Sequence, residues 1–492
     1  MKKKCSLLNL AAMVYLYLPI LVFMLLWVKL PIAIVASACV LVSIYLFCKV
    51  EEPEAKKRVT AGFVVLVLLC FLFFLAWALV SGLGGYFNQT GDWPKHNTIL
   101  NDMIKMQWPV RFSFHTDEFS GDGVLCYYIA GYILPALVGK VAGFHAAEIT
   151  ELLFAAVGLL IGCLLFHRNY GEKKNYTILI VAATMFLFAT FLCPILGIYR
   201  EWYSWDAALG GMWLSDSVMI QYSSNISMLR WVFPQMQGTI VATALFLENR
   251  KKPQTWLLIA FPLVLHSTFT FLGLGVVMAL TYLQEWLQTK EKLTYVKNTF
   301  SKVNLLALPT GLVLLVYIIS NFMQQKPENA KMGLEIINYL QEGRMIFILV
   351  AFQATWGLWA LLLFKEEKKN PVFWASCVIL FILPFFSLGQ FNDLCMRTSI
   401  PALLTFCALV AKNIIHYLKK DRFYAGVLIV CLILAGLGSM EELHLALQNS
   451  DLGQINRREP YENSEEYYLS SSYVMYQYIA WGDSALNWLL QK

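Results

Sequence analysis

The sequence predicts an all-α, polytopic integral membrane protein with about thirteen transmembrane helices. Of its 492 residues, 58% are hydrophobic and only 14% are charged, whereas a soluble protein carries about 25% charged residues. Apolar runs of roughly 17–25 residues recur along the chain, each long enough to cross a hydrocarbon core about 30 Å thick. The net charge of +6 therefore bears on membrane topology, and no nucleic-acid partner is expected.

The basic residues predict how the spans are oriented. Roughly two-thirds of the lysines and arginines lie in clusters that the positive-inside rule assigns to the cytoplasm, at 2–4, 49–58, 168–174, 250–252, 290–302, 365–369 and 412–422. The spans between them are about 7–27, 32–48, 60–83, 146–166, 175–196, 227–247, 254–269, 271–288, 303–322, 344–364, 371–388, 399–416 and 423–440. We expect a multi-pass protein of the plasma (inner) membrane, with its N-terminus cytoplasmic and its C-terminus extracytoplasmic.

One apolar stretch, residues 124–141, must not cross the membrane if this orientation is correct. A crossing there would turn every later basic loop to the outside. The stretch contains Tyr127, Tyr128, Tyr132 and Pro135. We therefore expect a helix that lies on the outer leaflet or dips into it.

The threading divides the chain into three parts. Residues 1–59 form an N-terminal transmembrane hairpin, residues 60–442 a transmembrane core, and residues 443–492 an extracytoplasmic cap rich in tyrosine and glutamate. The long polar loops of the core all fall on the predicted outer face, at 84–145, 197–226, 321–343 and 389–398. Ionisable residues that such a scaffold holds at a membrane surface are the first candidates for chemistry.

The first outer loop contains a dense polar cluster at 91–97. In one interpretation, Asp92 only caps a following helix and stabilises it by about 1 kcal/mol. In the other, it is a carboxylate that faces a cavity at the membrane edge and acts as a general base or a metal ligand. Asp92 and His96 are the candidate catalytic residues, and Lys95 and Asp102 are candidate substrate ligands.

The fourth outer loop places Asp393 and Arg397 four residues apart, next to Asn392. On a helix this spacing forms a local ion pair. Alternatively, Arg397 presents its planar guanidinium to a phosphate and Asp393 holds it in place. All three residues are candidate substrate ligands.

Three further polar residues are candidate substrate ligands. Arg230 and Gln235 lie on or inside a hydrophobic helix, where an unpaired polar group is expensive, so we expect them to face the bundle interior or a cavity. Arg200 lies in the second outer loop. The chain contains no Walker loop, no HExxH and no nucleophile elbow.

These features resemble the GT-C membrane glycosyltransferases, which include the protein O-mannosyltransferases, the aminoarabinose transferases of lipid A and the RgtA-like family. The shared features are a basic N-terminus, a long first outer loop with an acidic residue just after a span, and membrane-surface helices before the next span. The stretch from 125–128 through 139–143 to 146–168 is similar to theirs. The likeness covers roughly 60–250, and Asp92 falls where their first-loop catalytic carboxylate lies.

The resemblance implies that the chain transfers a sugar from a polyprenyl-phosphate or polyprenyl-diphosphate donor to a glycan, lipid or protein acceptor outside the cytoplasm. Asp92 would deprotonate the acceptor hydroxyl, and Arg397, with Arg230 or Arg200, would stabilise the phosphate leaving group. The motif here is Asp-Trp-Pro-Lys-His, where the family has Asp-x-Asp or an adjacent Asp-Glu pair. A divalent metal therefore has weak support, and no other cofactor is predicted.

Two other classes of function are compatible with the composition. One is a secondary transporter or a lipid or glycolipid flippase, and the other is a non-catalytic assembly factor for cell-envelope glycans. Transporters usually have internal repeats and broken helices near the bilayer midplane. The polar residues here concentrate at one predicted face, which favours an enzyme.

Overall fold

The computed structural model describes residues 6–50, 60–115, 120–171, 174–191, 212–214, 219–322, 333–341, 343–389, 392–481 and 485–491. Within these ranges, nine helices are long and apolar enough to cross a membrane. They are Leu7–Trp27, Leu30–Lys49, Ala61–Val80, Phe144–Tyr170, Thr268–Gln288, Lys302–Phe322, Met345–Glu367, Asp393–Lys420 and Arg422–Gln448. The prediction of a helical, polytopic membrane protein is confirmed.

The helices of the described part are α1 Leu7–Trp27, α2 Leu30–Val50, α3 Ala61–Val80, α4 Trp93–Lys105, α5 Ala130–Ala142, α6 Phe144–Tyr170, α7 Thr177–Leu187, α8 Asn225–Trp231, α9 Phe233–Glu248, α10 Trp256–Ala260, α11 Leu263–His266, α12 Thr268–Gln288, α13 Lys292–Thr299, α14 Lys302–Phe322, α15 Gly343–Glu367, α16 Pro371–Ile382, α17 Asp393–Thr398, α18 Ile400–Lys420, α19 Arg422–Gln448, α20 Ser464–Leu469, α21 Ser472–Tyr478 and α22 Ala485–Leu489. The strands are β1 Arg111–His115, β2 Ser120–Leu125, β3 Met212–Leu214, β4 Met219–Gln221, β5 Leu334–Ile336, β6 Phe386–Leu388 and β7 Ile479–Trp481. Short 3₁₀ turns lie at Pro253–Thr255 and Leu383–Phe385.

The number of spans, thirteen, stays a prediction, because four of the predicted stretches contain shorter helices. In the described residues α7 has 11 residues, α9 has 16 and α16 has 12. Proline accounts for two of the interruptions, since it cannot donate the backbone hydrogen bond that continues a helix. Pro262 separates α10 from α11, and Pro384 lies in the 3₁₀ turn that follows α16.

Two helices lie at the centre of the bundle. Every residue of α9 from Phe233 to Leu247 is buried, and so is every residue of α18 from Ile400 to Ala411. Both pack against each other and against α6 and α12. A side chain at the beginning of either helix is therefore held by protein on all sides.

One end of the bundle, called the loop face below, combines the first loop with the end of the chain. Strands β1 and β2 form an antiparallel hairpin, and β7 adds to β2 with Val124 opposite Ala480. The backbone N–H of Lys29, in the turn between α1 and α2, donates to the carbonyl of Leu489 at 2.9 Å. The sequence did not predict these strands, which join the 443–492 segment to the first loop.

Helix α5, in the stretch 124–141, is buried over its first half and exposed over its last turn, and its position at the membrane surface stays a prediction. Its 13 residues rise about 20 Å, which is too short to cross the hydrocarbon core. The helix packs against α4 and α6. The contact is close because Gly139 has no side chain: a Cβ there would come within 2.5 Å of Ile104 Cδ1 and 3.0 Å of Ala147 Cβ.

Candidate functional site

Asp92 lies at the beginning of α4 but makes no capping hydrogen bond. Its backbone is helical (φ −81°, ψ −16°), and its side chain accepts no bond from the first turn. The carboxylate instead contacts Lys95, with Oδ2 2.9 Å from Nζ, and the Asp92 side chain is 40% exposed. The capping interpretation therefore finds no support, and the carboxylate is accessible at the loop face.

The charges around Asp92 keep it ionised. Burial of part of the group raises the pKa of Asp92, but the positive charge of Lys95, and more weakly that of Arg397, outweighs this effect and leaves the pKa below the ordinary value for aspartate. Arg397 belongs to another element, α17, and its charge lowers the pKa of Asp92 in the same direction as that of Lys95. Asp92 is therefore ionised at neutral pH, which is the state that a general base requires.

His96 is a buried histidine with both ring nitrogens engaged. Its Nδ1 lies 2.5 Å from the hydroxyl of Tyr132, and its Nε2 lies 3.2 Å from the carbonyl oxygen of Trp231. Because a carbonyl only accepts, Nε2 carries the hydrogen and Nδ1 accepts from Tyr132. Burial, followed by the charge of Lys95, lowers the pKa of His96 to about 3. The His96 side chain thus connects α4 to α5 and α8. Both of its ring nitrogens are engaged, so neither is free to serve the catalytic role predicted for His96.

Asp102 faces the end of the chain. It is buried, and the hydroxyl of Tyr468 in α20 donates to its Oδ2 at 3.1 Å. Burial raises the pKa of Asp102 to about 6, although the hydrogen bonds from Ser464 and Tyr468 oppose the shift. The predicted substrate ligand thus contacts the 443–492 segment.

Arg230 is buried in a network between the first loop and α19. Its Nη1 donates to the carbonyl of Asn88 at 3.1 Å, and its Nε lies 3.3 Å from Oε2 of Glu442. Trp231 Nε1 donates to the same carboxylate at 3.1 Å. Arg230 faces the bundle interior, as expected from its place in an apolar helix.

Asp393 and Arg397 form the ion pair that their spacing predicts. Arg397 Nη2 lies 3.1 Å from Asp393 Oδ1, and both side chains are buried. The hydroxyl of Tyr473, in α21, donates to the other carboxylate oxygen at 3.3 Å. Asn392 caps α17: its Oδ1 accepts from the backbone N–H of Cys395 at 3.3 Å, and its φ of 47° is left-handed. The carboxylate and the cap fix the position of the guanidinium.

Several donors converge on Tyr128 beside this ion pair. Its hydroxyl oxygen accepts from Gln235 Nε2 at 3.1 Å and also from Tyr127 and from Nη1 of Arg397. A phenol oxygen has only two lone pairs, so the donors outnumber the acceptor sites. In the described part of the chain, Nε of Arg397 has no hydrogen-bond partner. The cluster is therefore rich in donors that an anion could accept from.

A cavity opens next to this cluster. Its empty space, counted together with the open mouth, is about 620 Å³. Its lining consists of Cys126, Tyr127, Tyr128, Thr268, Phe269, Ile318, Asn321, Phe322, Leu388, Gly389, Asp393, Arg397, Tyr473 and Gln477. Apolar side chains and a guanidinium thus share one cavity. Asp92 lies outside this lining.

The structure brings only some of the predicted site residues together. Arg397 and Gln235 meet at Tyr128, and Asp393 pairs with Arg397, whereas Asp92 pairs with Lys95. The remaining predicted residues form separate contacts. His96 and Asp102 are buried side chains of α4. Arg230 belongs to its own network with Asn88, and Asn392 caps α17. Arg200 lies outside the described residues.

Sequence reasoning did not assign Tyr128, Tyr473 and Asn321 to the site. The adjacent tyrosines at 127 and 128 and the tyrosine-rich end of the chain were the available signals. Asn321 Nδ2 donates to the carbonyl of Cys126 at 3.2 Å, while its Oδ1 has no partner among the described residues. No group of three or more candidate metal ligands occurs in the described residues.

No known protein-family model and no curated protein sequence matches this chain.

Proposed function

We propose that the chain is a membrane glycosyltransferase that moves a sugar from a polyprenyl-phosphate or polyprenyl-diphosphate donor to an acceptor on the extracytoplasmic face. The observation that carries the proposal is the cavity beside Arg397, where a buried and oriented guanidinium meets apolar walls. The surplus of donors at Tyr128 suits a phosphate, and Phe269, Ile318 and Leu388 suit the first isoprene units of a lipid.

In this proposal Asp92 acts on the acceptor and Arg397 acts on the lipid-phosphate donor. Asp92 takes the proton from the acceptor hydroxyl, whose oxygen forms a bond to the anomeric carbon of the sugar. The bond between that carbon and the phosphate oxygen breaks, and its electron pair leaves with the lipid phosphate. The donors of Arg397 stabilise the charge that develops there. Because Asp92 lies outside the cavity lining, the acceptor approaches from the side of Asp92 and the donor from the cavity.

Lipid binding tests the donor site directly. The double variant Asp393→Asn/Arg397→Gln removes both charges together, because removing one partner alone leaves a buried unpaired charge that costs about 3–5 kcal/mol. We expect purified double variant to bind added polyprenyl phosphate about 10- to 100-fold more weakly than the wild type, measured by native mass spectrometry, since a hydrogen bond to a charged group contributes about 1.5–3 kcal/mol.

Arg422→Gln is the matched control, because Arg422 is exposed at the beginning of α19 and α18, about 30 Å long, separates it from Arg397. It should bind the lipid as the wild type does. A folded double variant that binds polyprenyl phosphate as tightly as Arg422→Gln would refute the donor site.

A further inference from the structure

Two stacked tyrosines of the 443–492 segment lie beside the first loop. The rings of Tyr461 and Tyr467 have centroids 4.3 Å apart and planes 9° from parallel. Tyr461 is 41% exposed, and Tyr467 is partly buried beneath it. The pair therefore presents a flat aromatic surface to solvent, and it is called the tyrosine shelf below.

The tyrosine shelf is fastened to the loop that carries Asp92. The backbone N–H of Arg458 donates to Oε1 of Gln89 at 2.7 Å, and the backbone N–H of Tyr461 donates to Oγ1 of Thr98 at 2.8 Å. Both partners flank Asp92 in the sequence. The segment that ends in the shelf thus runs alongside the Asp92 motif, and hydrogen bonds from its backbone to the Gln89 and Thr98 side chains set its position.

The shelf is fastened to α4 at a point close to Asp92. Thr98 lies six residues after Asp92, which is a rise of about 9 Å along α4. Burial raises the pKa of Tyr467, and so does the neighbouring Tyr461. The negative charge of Asp92 raises that pKa further. A short oligosaccharide lying on the shelf would reach the carboxylate with its terminal hydroxyl.

We propose that the tyrosine shelf binds a sugar ring of the acceptor, so that the acceptor class is a glycan. This inference rests on the proposed function, because it takes Asp92 as the base that receives the acceptor's proton. The C–H face of a pyranose packs on the electron-rich face of an aromatic ring, and its hydroxyls point outward to polar neighbours. Arg458 and Glu459 are exposed beside the shelf and provide such neighbours.

The surroundings of the shelf suit a sugar better than a lipid acceptor. A lipid tail would need a continuous apolar surface, whereas Tyr461 is flanked by the exposed residues Glu459 and Glu462. A second exposed tyrosine of the loop face, Tyr86, has no comparable surface, because its ring meets His145 edge-on at 77°. The parallel stack is therefore what sets Tyr461 apart from Tyr86, which is 39% exposed.

A glycan array probed with the purified full-length protein in detergent tests the shelf. We expect the wild type to bind a subset of the oligosaccharides, and Tyr461→Ala to bind them about tenfold more weakly, as expected for the loss of one aromatic contact. Tyr461→Trp retains an aromatic face and should bind as the wild type does. Tyr86→Ala is the matched control and should also keep full binding.

Asp92→Asn separates this proposal from the proposed function. The variant should lose transfer but keep glycan binding, because it retains the shelf. Normal transfer by Asp92→Asn together with Tyr461-dependent binding would refute the proposed function and leave the shelf standing. A wild type that binds no oligosaccharide on the array, or a thermally stable Tyr461→Ala that binds as the wild type does, would overturn the shelf.

Discussion

Replacing Asp92 with asparagine distinguishes a base from a helix cap. The substitution keeps the size of the side chain and removes its ability to take a proton. A positioned general base contributes about 10²- to 10⁴-fold to a rate, which corresponds to about 3–5 kcal/mol of the activation barrier. We therefore expect the rate of sugar transfer to fall by about 10²- to 10⁴-fold in Asp92→Asn.

The same substitution should barely change stability. Asp92 makes no capping hydrogen bond, and its ion pair with Lys95 is solvent-accessible, with the Asp92 side chain 40% exposed. Such pairs contribute about 1 kcal/mol or less. The variant should insert, fold and unfold thermally as the wild type does, so the loss of rate would not reflect a loss of protein.

The assay follows the lipid-linked donor, because a blocked transfer leaves the donor unused. Lipid extracts of cells that express wild type, Asp92→Asn or Lys95→Gln are compared by mass spectrometry for polyprenyl-linked sugars. Donor should accumulate in Asp92→Asn and much less in Lys95→Gln, which keeps the carboxylate. If Asp92→Asn consumed donor at the wild-type rate, or lost activity only in proportion to a loss of folded protein, the role of Asp92 as a base would be wrong.

Two further predictions concern buried groups of α4. The pKa of Asp102 is raised from 3.8 to about 6, so the folded state favours the protonated form, and the stability this contributes is complete below about pH 4 and lost as the pH rises through 6. Thermal unfolding followed from pH 4 to pH 7 should show that decline in the wild type and a flatter profile in Asp102→Asn; equal slopes would contradict it. His96, with a pKa of about 3, is neutral at physiological pH, so His96→Phe should destabilise the protein by about 1–3 kcal/mol through the unpaired Tyr132 hydroxyl and Trp231 carbonyl. The pH dependence of transfer between pH 5 and 8 should stay unchanged in that variant, and a shifted profile would instead support the catalytic role.

The sequence predicts the long apolar helices well because a span of 20 or more apolar residues has one stable environment. It predicts less well where proline interrupts an apolar run, as at Pro262 and Pro384, since hydropathy alone does not register the break. The strands of the loop face escape prediction for a different reason. Val124 pairs with Ala480, and no local sequence pattern indicates a strand partner so distant along the chain.

In the candidate site too, the local contacts could be predicted from the sequence and the long-range contacts could not. The ion pair of Asp393 and Arg397 follows from a spacing of four residues and is confirmed by the structure. Tyr128 and Tyr473 reach Arg397 and Asp393 from distant elements, so only the folded chain shows that they belong together. His96 lies one turn after Asp92 on the same side of α4, yet it is buried because Tyr132 and Trp231 cover it, and Tyr468 covers Asp102 in the same way. Those contacts come from distant elements, which the local sequence does not show.

Lys29, in the turn after α1, and strand β2 both contact residues 479–489, and these contacts have a consequence for biosynthesis. Lys29 Nζ donates to the carbonyl of Asn487, 458 residues later, and β2 completes its sheet only with β7. At a synthesis rate of about 5–20 residues per second, the turn after α1 waits roughly 20–90 s for this partner. Until then the edge of β2 that pairs with β7 has no strand partner. The helices can insert in order as they emerge, but the three-stranded sheet of the loop face is completed only after residues 479–481 have been translated.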